Sequence, residues 1–269
     1  MTTKKKQPVQ RVTKPFLTGS PTDERTVKGA LGFFGLLVLT GAMSFLVCSA
    51  LNMSSGVLRI LLNLGAESLI LLLFYNNAIS RGSDAVARGE ILYQKQEKGK
   101  PFSPSEKSIC FHPLKGYLTG ILGSLPILIC AVLLAVTAQK QMTGYGTLPG
   151  WISSYQQRSE VGDALVAYTL RDSMGLTDVL RIIIRVAVMP FVSMVGSENG
   201  GALLMVERLS PLIVILPALA YGTGYLRGRQ ERTKIHTGIA ENRKTRAKRE
   251  RKAQKARAGR GPRTPEQLN

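Results

Sequence analysis

The feature that most constrains this chain is the alternation of long charge-free runs with segments of dense charge. No Asp, Glu, Lys or Arg occurs from Gly29 to Leu58 or from Gly116 to Gln139, and none from Leu209 to Leu226. Between Ile60 and Ser80 the only one is Glu67. About 20 apolar residues in a helix cross the roughly 30 Å of hydrocarbon in a bilayer. In that medium every backbone N–H and C=O must be satisfied within the segment, which a helix does. The expected fold is therefore all-α: a polytopic helical membrane bundle with four transmembrane helices at about 27–50, 57–79, 116–138 and 210–226. The mean hydropathy of +0.06 averages these runs with their charged connections and hides the pattern. Aromatic residues make up only 6% of the chain, whereas glycines number 27, a composition suited to helices packed closely through their backbones.

The first run is longer than the 7 to 15 apolar residues of a signal-peptide core and ends without a small-x-small site, so it reads as a retained span. The three cysteines, Cys48, Cys110 and Cys130, lie in or beside apolar runs and offer no disulfide framework. Cys110-Phe111-His112 supplies at most two metal ligands, and no second pair stands nearby. The sequence thus points to no metal and no cofactor.

Orientation follows from where the positive charge falls. Of 36 Lys and Arg, 7 lie in residues 1–28, 7 in 80–115, 3 in 139–178 and 15 in 227–269, the last segment with only 4 acidic residues. Basic segments stay in the cytoplasm, so both termini belong there and the number of crossings is even. Five apolar segments are visible, and one must not cross. Val179–Val195 is the shortest, carries Arg181 and Arg185, and is interrupted by Pro190. It is expected to be a broken, re-entrant half-helix entering from the outer face. The expected organisation is a disordered basic cytoplasmic leader over 1–26, a membrane domain over 27–226, and a basic cytoplasmic tail over 227–269. The first two spans should form an antiparallel hairpin through the turn at 52–56. Residues 80–115 read as a cytoplasmic loop with a short surface helix at 84–96. Residues 139–178 read as extracytoplasmic, with Trp151, Tyr145, Tyr155 and Tyr168 at headgroup level and an amphipathic helix at 160–170.

Several residues carry candidate function. Arg59, Asn63 and Glu67 recur every four residues and stack on one face of the second span. Glu67 lies near mid-span, where a charge costs about 2.5–3.5 kcal/mol on insertion scales, so it needs a partner. Arg185 is the expected one, with Arg181 beside it. Two readings of this stripe stand: a packing salt bridge, or a polar path for an ion or ligand. Gly116, Gly120 and Gly123 put small residues on one face of the third span, for helix packing. In the tail, Arg243, Lys244, Arg246, Lys248, Arg249, Arg251 and Lys252 form a basic run on good helix formers, with no apolar stripe and no interleaved aromatic. Anionic lipid or RNA phosphate, for instance on a ribosome, fits it; sequence-specific nucleic-acid readout does not. Besides the bilayer, membrane-protein partners or a second copy fit the small-residue faces. His112 and His236 lie far apart in sequence, and no serine sits in an elbow motif, so no enzyme is indicated. Two functions fit: a small transport or channel-like component built on the Arg/Glu stripe, or an assembly or tethering factor working through the tail. A water-filled groove reaching Glu67 would favour the first, and a sealed bundle with paired charges the second.

Overall fold

A computed structural model of the chain describes residues 12–50, 56–138, 175–196 and 199–258. Among them the regular structure is entirely helical: α1 (Glu24–Ala50), α2 (Gly56–Glu97), α3 (Pro104–Ser108), α4 (Lys115–Thr137), α5 (Leu176–Ala187), α6 (Met189–Val195) and α7 (Gly200–Ala258). Four of these, α1, α2, α4 and α7, are long and apolar enough to cross a membrane. Their outward faces carry large apolar side chains with no protein cover, such as Leu31, Leu61, Leu69, Val136 and Leu212. A water-soluble chain rarely leaves so much apolar surface bare. The protein is an all-α membrane bundle, and that surface is where lipid touches it.

Helix α7 organises the fold, packing chiefly against α2 and α4. Its buried positions step by three or four residues through Leu203, Glu207, Ser210, Val214, Ala218, Tyr221, Tyr225 and Gly228, and the same face continues through half-buried Arg232 to buried His236. The helix continues through Pro211 and Pro217, which membrane helices tolerate when neighbours cover the freed carbonyls. Glycines let the backbones close. A Cβ on Gly82 of α2 would overlap the Tyr225 carbonyl, and one on Gly224 the Tyr75 carbonyl. Gly116 and Gly120 of α4 face Tyr225 and Ala218 of α7, whereas Gly123 turns toward Ala30 and Phe33 of α1. Between the helices, Phe33 sits 4.9 Å from Phe74 and 5.2 Å edge-on to Tyr221.

The α1 N-terminus, the α2 C-terminus, the α4 N-terminus and the outgoing part of α7 share one end of the bundle, here the basic end. At the opposite end α5 and α6 make a re-entrant V. Helix α5 runs inward against α4 and α1, breaks at Val188 just before Pro190, and α6 returns along α2. The carbonyl of Val188 is not orphaned, since Phe191 and Val192 N–H groups donate to it at 3.0 and 3.2 Å. The tip lies level with Glu67, eleven residues into α2 and so roughly 16 Å deep at 1.5 Å per residue. The V separates α1 from α2 through half the bundle, so these two helices are antiparallel but splayed and do not form the close hairpin expected.

The connections at the basic end are more ordered than their charge suggests. Residues 80–97 are no loop but the continuation of α2, because Gly82, Ala85, Val86, Gly89, Glu90 and Leu92 keep the buried stripe of the span in phase. The leader is extended and hydrogen-bonded from Val12 onward: Leu17 N–H donates to Gly89 O (3.2 Å), Gly19 N–H to Phe111 O (3.0 Å), and Val12 N–H to Thr237 Oγ1 (3.2 Å). Phe16 packs edge-on to Phe111, which stacks on Tyr225 at 5.3 Å. These rings bury apolar area that a disordered leader would leave in water. The expected amphipathic helix at 160–170, the headgroup-level aromatics and all of the turn at 52–56 except Gly56 lie outside the described residues.

Candidate functional site

Three polar clusters stand out, one in each region of the bundle. The first lies between the V and α7. Glu207, only 3% exposed, accepts through one oxygen, Oε1, from Arg181 Nε at 2.8 Å and from Arg185 Nε and Nη2 at 3.0 and 2.6 Å. Arg181 also meets Asp178, one turn away, at 3.5 Å. The two arginines share a face because they are four apart on α5. The carboxylate expected to hold them, Glu67, does not. It makes no ion pair among the described residues, and it lines a cavity of about 20 Å³ at the tip of the V with Thr40, Gly41, Ser44 and Val188. Glu67 belongs to α2 and is level with the tip, whereas Arg185 lies nearly a turn before it and leans toward α7. Glu207 was missed because α7 starts at Gly200, ten residues before the expected span, which brings its first turns inside the bundle.

Arg59 and Asn63 occupy the other arm of the V. Asn63 is fully buried and donates to the Arg59 carbonyl at 2.8 Å and to Ser193 Oγ of α6 at 3.2 Å. The Arg59 guanidinium lies over Gly196, whose φ of +82° calls for glycine and where a Cβ would stand 3.2 Å from Nη2. Among the described residues Arg59 Nε and Asn63 Oδ1 have no hydrogen-bond partner. The stripe of Arg59, Asn63 and Glu67 therefore divides between different neighbours.

The second cluster pins α7 to α2 beyond the apolar spans. Glu90 receives Arg232 through Nη2 at 3.1 Å and Nε at 3.2 Å, and its other oxygen lies 2.7 Å from His236 Nε2, with Glu90 and His236 both buried. His236 is thus no surface residue. Phe16 lies under the Arg229 guanidinium, 5.4 Å from ring centroid to Cζ. Nearby, Lys115 Nζ contacts Asp23 Oδ2 at 2.9 Å and the Ser108 carbonyl at 2.9 Å, tying α4 to the start of α1. Burial pushes the Asp23 carboxyl up, but hydrogen bonds from Thr26 and Lys115 outweigh this and hold it below the usual carboxylate range.

The third is the end of α7. From Glu241 to Lys255 every residue is exposed, so this stretch packs on nothing among the described residues. Arg243, Lys244, Arg246, Lys248, Arg249, Arg251 and Lys252 point outward all round, and the one ion pair here among the described residues, Arg246–Glu250, is exposed on both sides. Such a pair contributes little. As far as Ala258 the tail is helical: α7 carries it as an arm continuous with a membrane span. Its Ala, Lys, Arg and Gln content favours that state without packing.

Fold and clusters together define a helical membrane protein with a buried ionic lock at one end and a projecting basic arm at the other. No family model, curated protein or solved structure matches the chain.

Proposed function

We propose that the protein is a non-enzymatic tethering factor of the cell membrane, in which a multi-pass bundle with both termini in the cytoplasm carries a basic arm that holds RNA phosphate, as on a ribosome. The observation that carries this reading is the continuity of α7 from Gly200 to Ala258. Orientation follows from charge: the leader, the end of α2 and the arm all lie at the basic end, and basic segments are retained in the cytoplasm.

Continuity of the helix supports a position for the arm away from the membrane surface. Membrane helices tilt by about 20° and rarely beyond about 40°. Arg227 is the first charge after the span. The stretch 240–258 then begins roughly 20 Å and ends roughly 46 Å of helix rise past it. Screening at physiological salt reduces charge interactions over about 8 Å. An arm at this height lies beyond the reach of headgroups in its own membrane, yet is open to a polyanion arriving from solution. Its nine basic and two acidic residues over 240–258 suit phosphate, and its lack of aromatics argues against base readout.

The transport reading has less support. The space beside Glu67 is about 20 Å³ and mostly apolar, room for about one water at most. The arginines that would have made an anion path are engaged with Glu207.

The test is flotation of a ribosomal RNA fragment with proteoliposomes of phosphatidylcholine, which lack anionic lipid. The full chain should carry RNA upward at 50 mM salt and lose about 10³-fold or more in affinity by 200 mM, as expected for six or more phosphate contacts. A chain ending at Ile239 should carry none. Equal flotation by the shortened chain would remove the arm from the account.

A further inference from the structure

We infer that the cleft between α1 and α2 at the basic end is a site for one anionic phospholipid, its phosphate at Arg25, Arg81 and Arg88 and an acyl chain along the glycine-lined face of α1. The site exists because α1 and α2 are splayed. In the opposite half of the bundle the V of α5 and α6 fills the gap between them, but it ends at Val188. In the basic half nothing among the described residues replaces it, and two adjoining clefts remain.

The upper cleft, about 230 Å³, is lined by Arg25, Arg81, Asp84, Arg88, Thr119 and Tyr221. The lower, about 240 Å³, shares Arg81 and Tyr221 and continues along Gly32, Gly35, Leu36 and Leu39, with Asn77 on its α2 side. A charged mouth at the membrane boundary thus leads into an apolar groove at membrane depth, the same order of chemistry as a phospholipid.

The charge is uncommitted. Lys115 is bound by Asp23 and Arg232 by Glu90. By contrast, none of Arg25, Arg81 and Arg88 is within 4 Å of a carboxylate among the described residues, although Asp84 lines the same cleft. Arg81 and Tyr221 line both clefts and so join them. Arg81 also crosses the α1 backbone closely: a Cβ on Gly29 or on Gly32 would stand 3.5 Å from its guanidinium nitrogens. Three guanidiniums against one carboxylate favour an anionic headgroup over a zwitterionic one. They also present planar donors suited to phosphate.

The groove below is open. A Cβ on Gly35 would meet nothing within 4 Å. Apart from Arg81 and Asn77 the wall is Gly32, Phe33, Gly35, Leu36, Leu39 and the Tyr221 ring; its α1 side offers water few partners, so hydrocarbon fills it, and the chain that does so brings its own headgroup to the arginines.

The experiment reconstitutes the full chain in nanodiscs with equal phosphatidylglycerol and phosphatidylcholine, extracts it in mild detergent, and measures retained lipid by native mass spectrometry. About one phosphatidylglycerol per chain should be retained, in preference to phosphatidylcholine. At about 1 kcal/mol per basic residue near an anion, Arg81→Gln with Arg88→Gln should weaken retention about 25-fold. Gly35→Leu projects into open space and favours helix, so it should fold, unfold at the same temperature in lipid-free detergent, and still lose the lipid. Equal retention of the two lipids, or retention unchanged in both variants, overturns the site. Protection against thermal unfolding by inorganic phosphate as strong as that by phosphatidylglycerol would also overturn it, because the cluster would then be a soluble-phosphate site.

Discussion

Glu207→Gln tests the ionic lock most sharply. One oxygen of this carboxylate receives three N–H groups from two arginines at 2.6–3.0 Å, and its side chain is 3% exposed. The amide removes the carboxylate that the two guanidiniums share, while Arg181 keeps its 3.5 Å contact with Asp178, and breaking a buried ion pair costs about 3–5 kcal/mol. Arg181→Gln should cost less, about 1–3 kcal/mol, because Glu207 keeps Arg185 and only part of its bonding is lost. Arg185→Gln should cost least, since Arg185 is 21% exposed against 7% for Arg181 and lies partly within reach of water. Replacing all three by apolar residues of similar volume (Arg181→Met, Arg185→Met, Glu207→Leu) should recover much of the loss, as it does for other buried pairs. The assay is denaturant unfolding of the detergent-solubilised protein, with double-mutant cycles of Glu207 against each arginine. Glu67→Gln should be additive with Arg185→Gln. A Glu207→Gln effect within about 0.5 kcal/mol, or coupling of Arg185 to Glu67 instead, would refute the reasoning.

Three further outcomes follow from the packing. Gly82→Ala sets a methyl against the Tyr225 carbonyl, and forcing α2 from α7 should cost about 1–3 kcal/mol in the same unfolding assay. Glu90→Ala strands Arg232 and His236, so amide exchange over 228–239 should quicken while that of the apolar spans stays unchanged. Asp23 has a carboxyl held below its unfolded value, so its contribution is present above about pH 4 and is lost as pH falls through the lower folded value. Asp23→Asn should therefore unfold at a lower temperature than the native chain at pH 7, with the difference shrinking toward pH 3.

The spans could be read from the sequence because a charge-free run of 20 residues has few other uses, and the V because Val179–Val195 is too short, too charged and broken by Pro190. The partner of the arginines could not be read by counting charges per segment. Glu207 and Arg208 made 202–209 look like a connection, although Glu207 and Ser210 are in phase with Val214, Ala218 and Tyr221, the signal that would have extended α7 backward. The ordered basic end depends on contacts far apart in sequence, such as Phe16 with Phe111 and Gly89 with Leu17. An extended strap has no helical period to reveal it. The arm was half legible: its residues favour helix, but charge all round gives no stripe, so its continuity with α7 appears only in three dimensions.

The central claim is that the arm stands off the membrane as a prolongation of α7. With Cys48, Cys110 and Cys130 replaced, a spin label at Ala253 can be compared with one at Arg227 in vesicles whose headgroups carry a nickel chelate. Ala253 lies 26 residues past Arg227, roughly 39 Å of rise, or about 30 Å from the boundary at a 40° tilt. The account predicts strong relaxation of the label at Arg227 and almost none at Ala253, with or without anionic lipid. Relaxation at Ala253 as strong as at Arg227 would mean that the arm lies along the headgroups, and would contradict it.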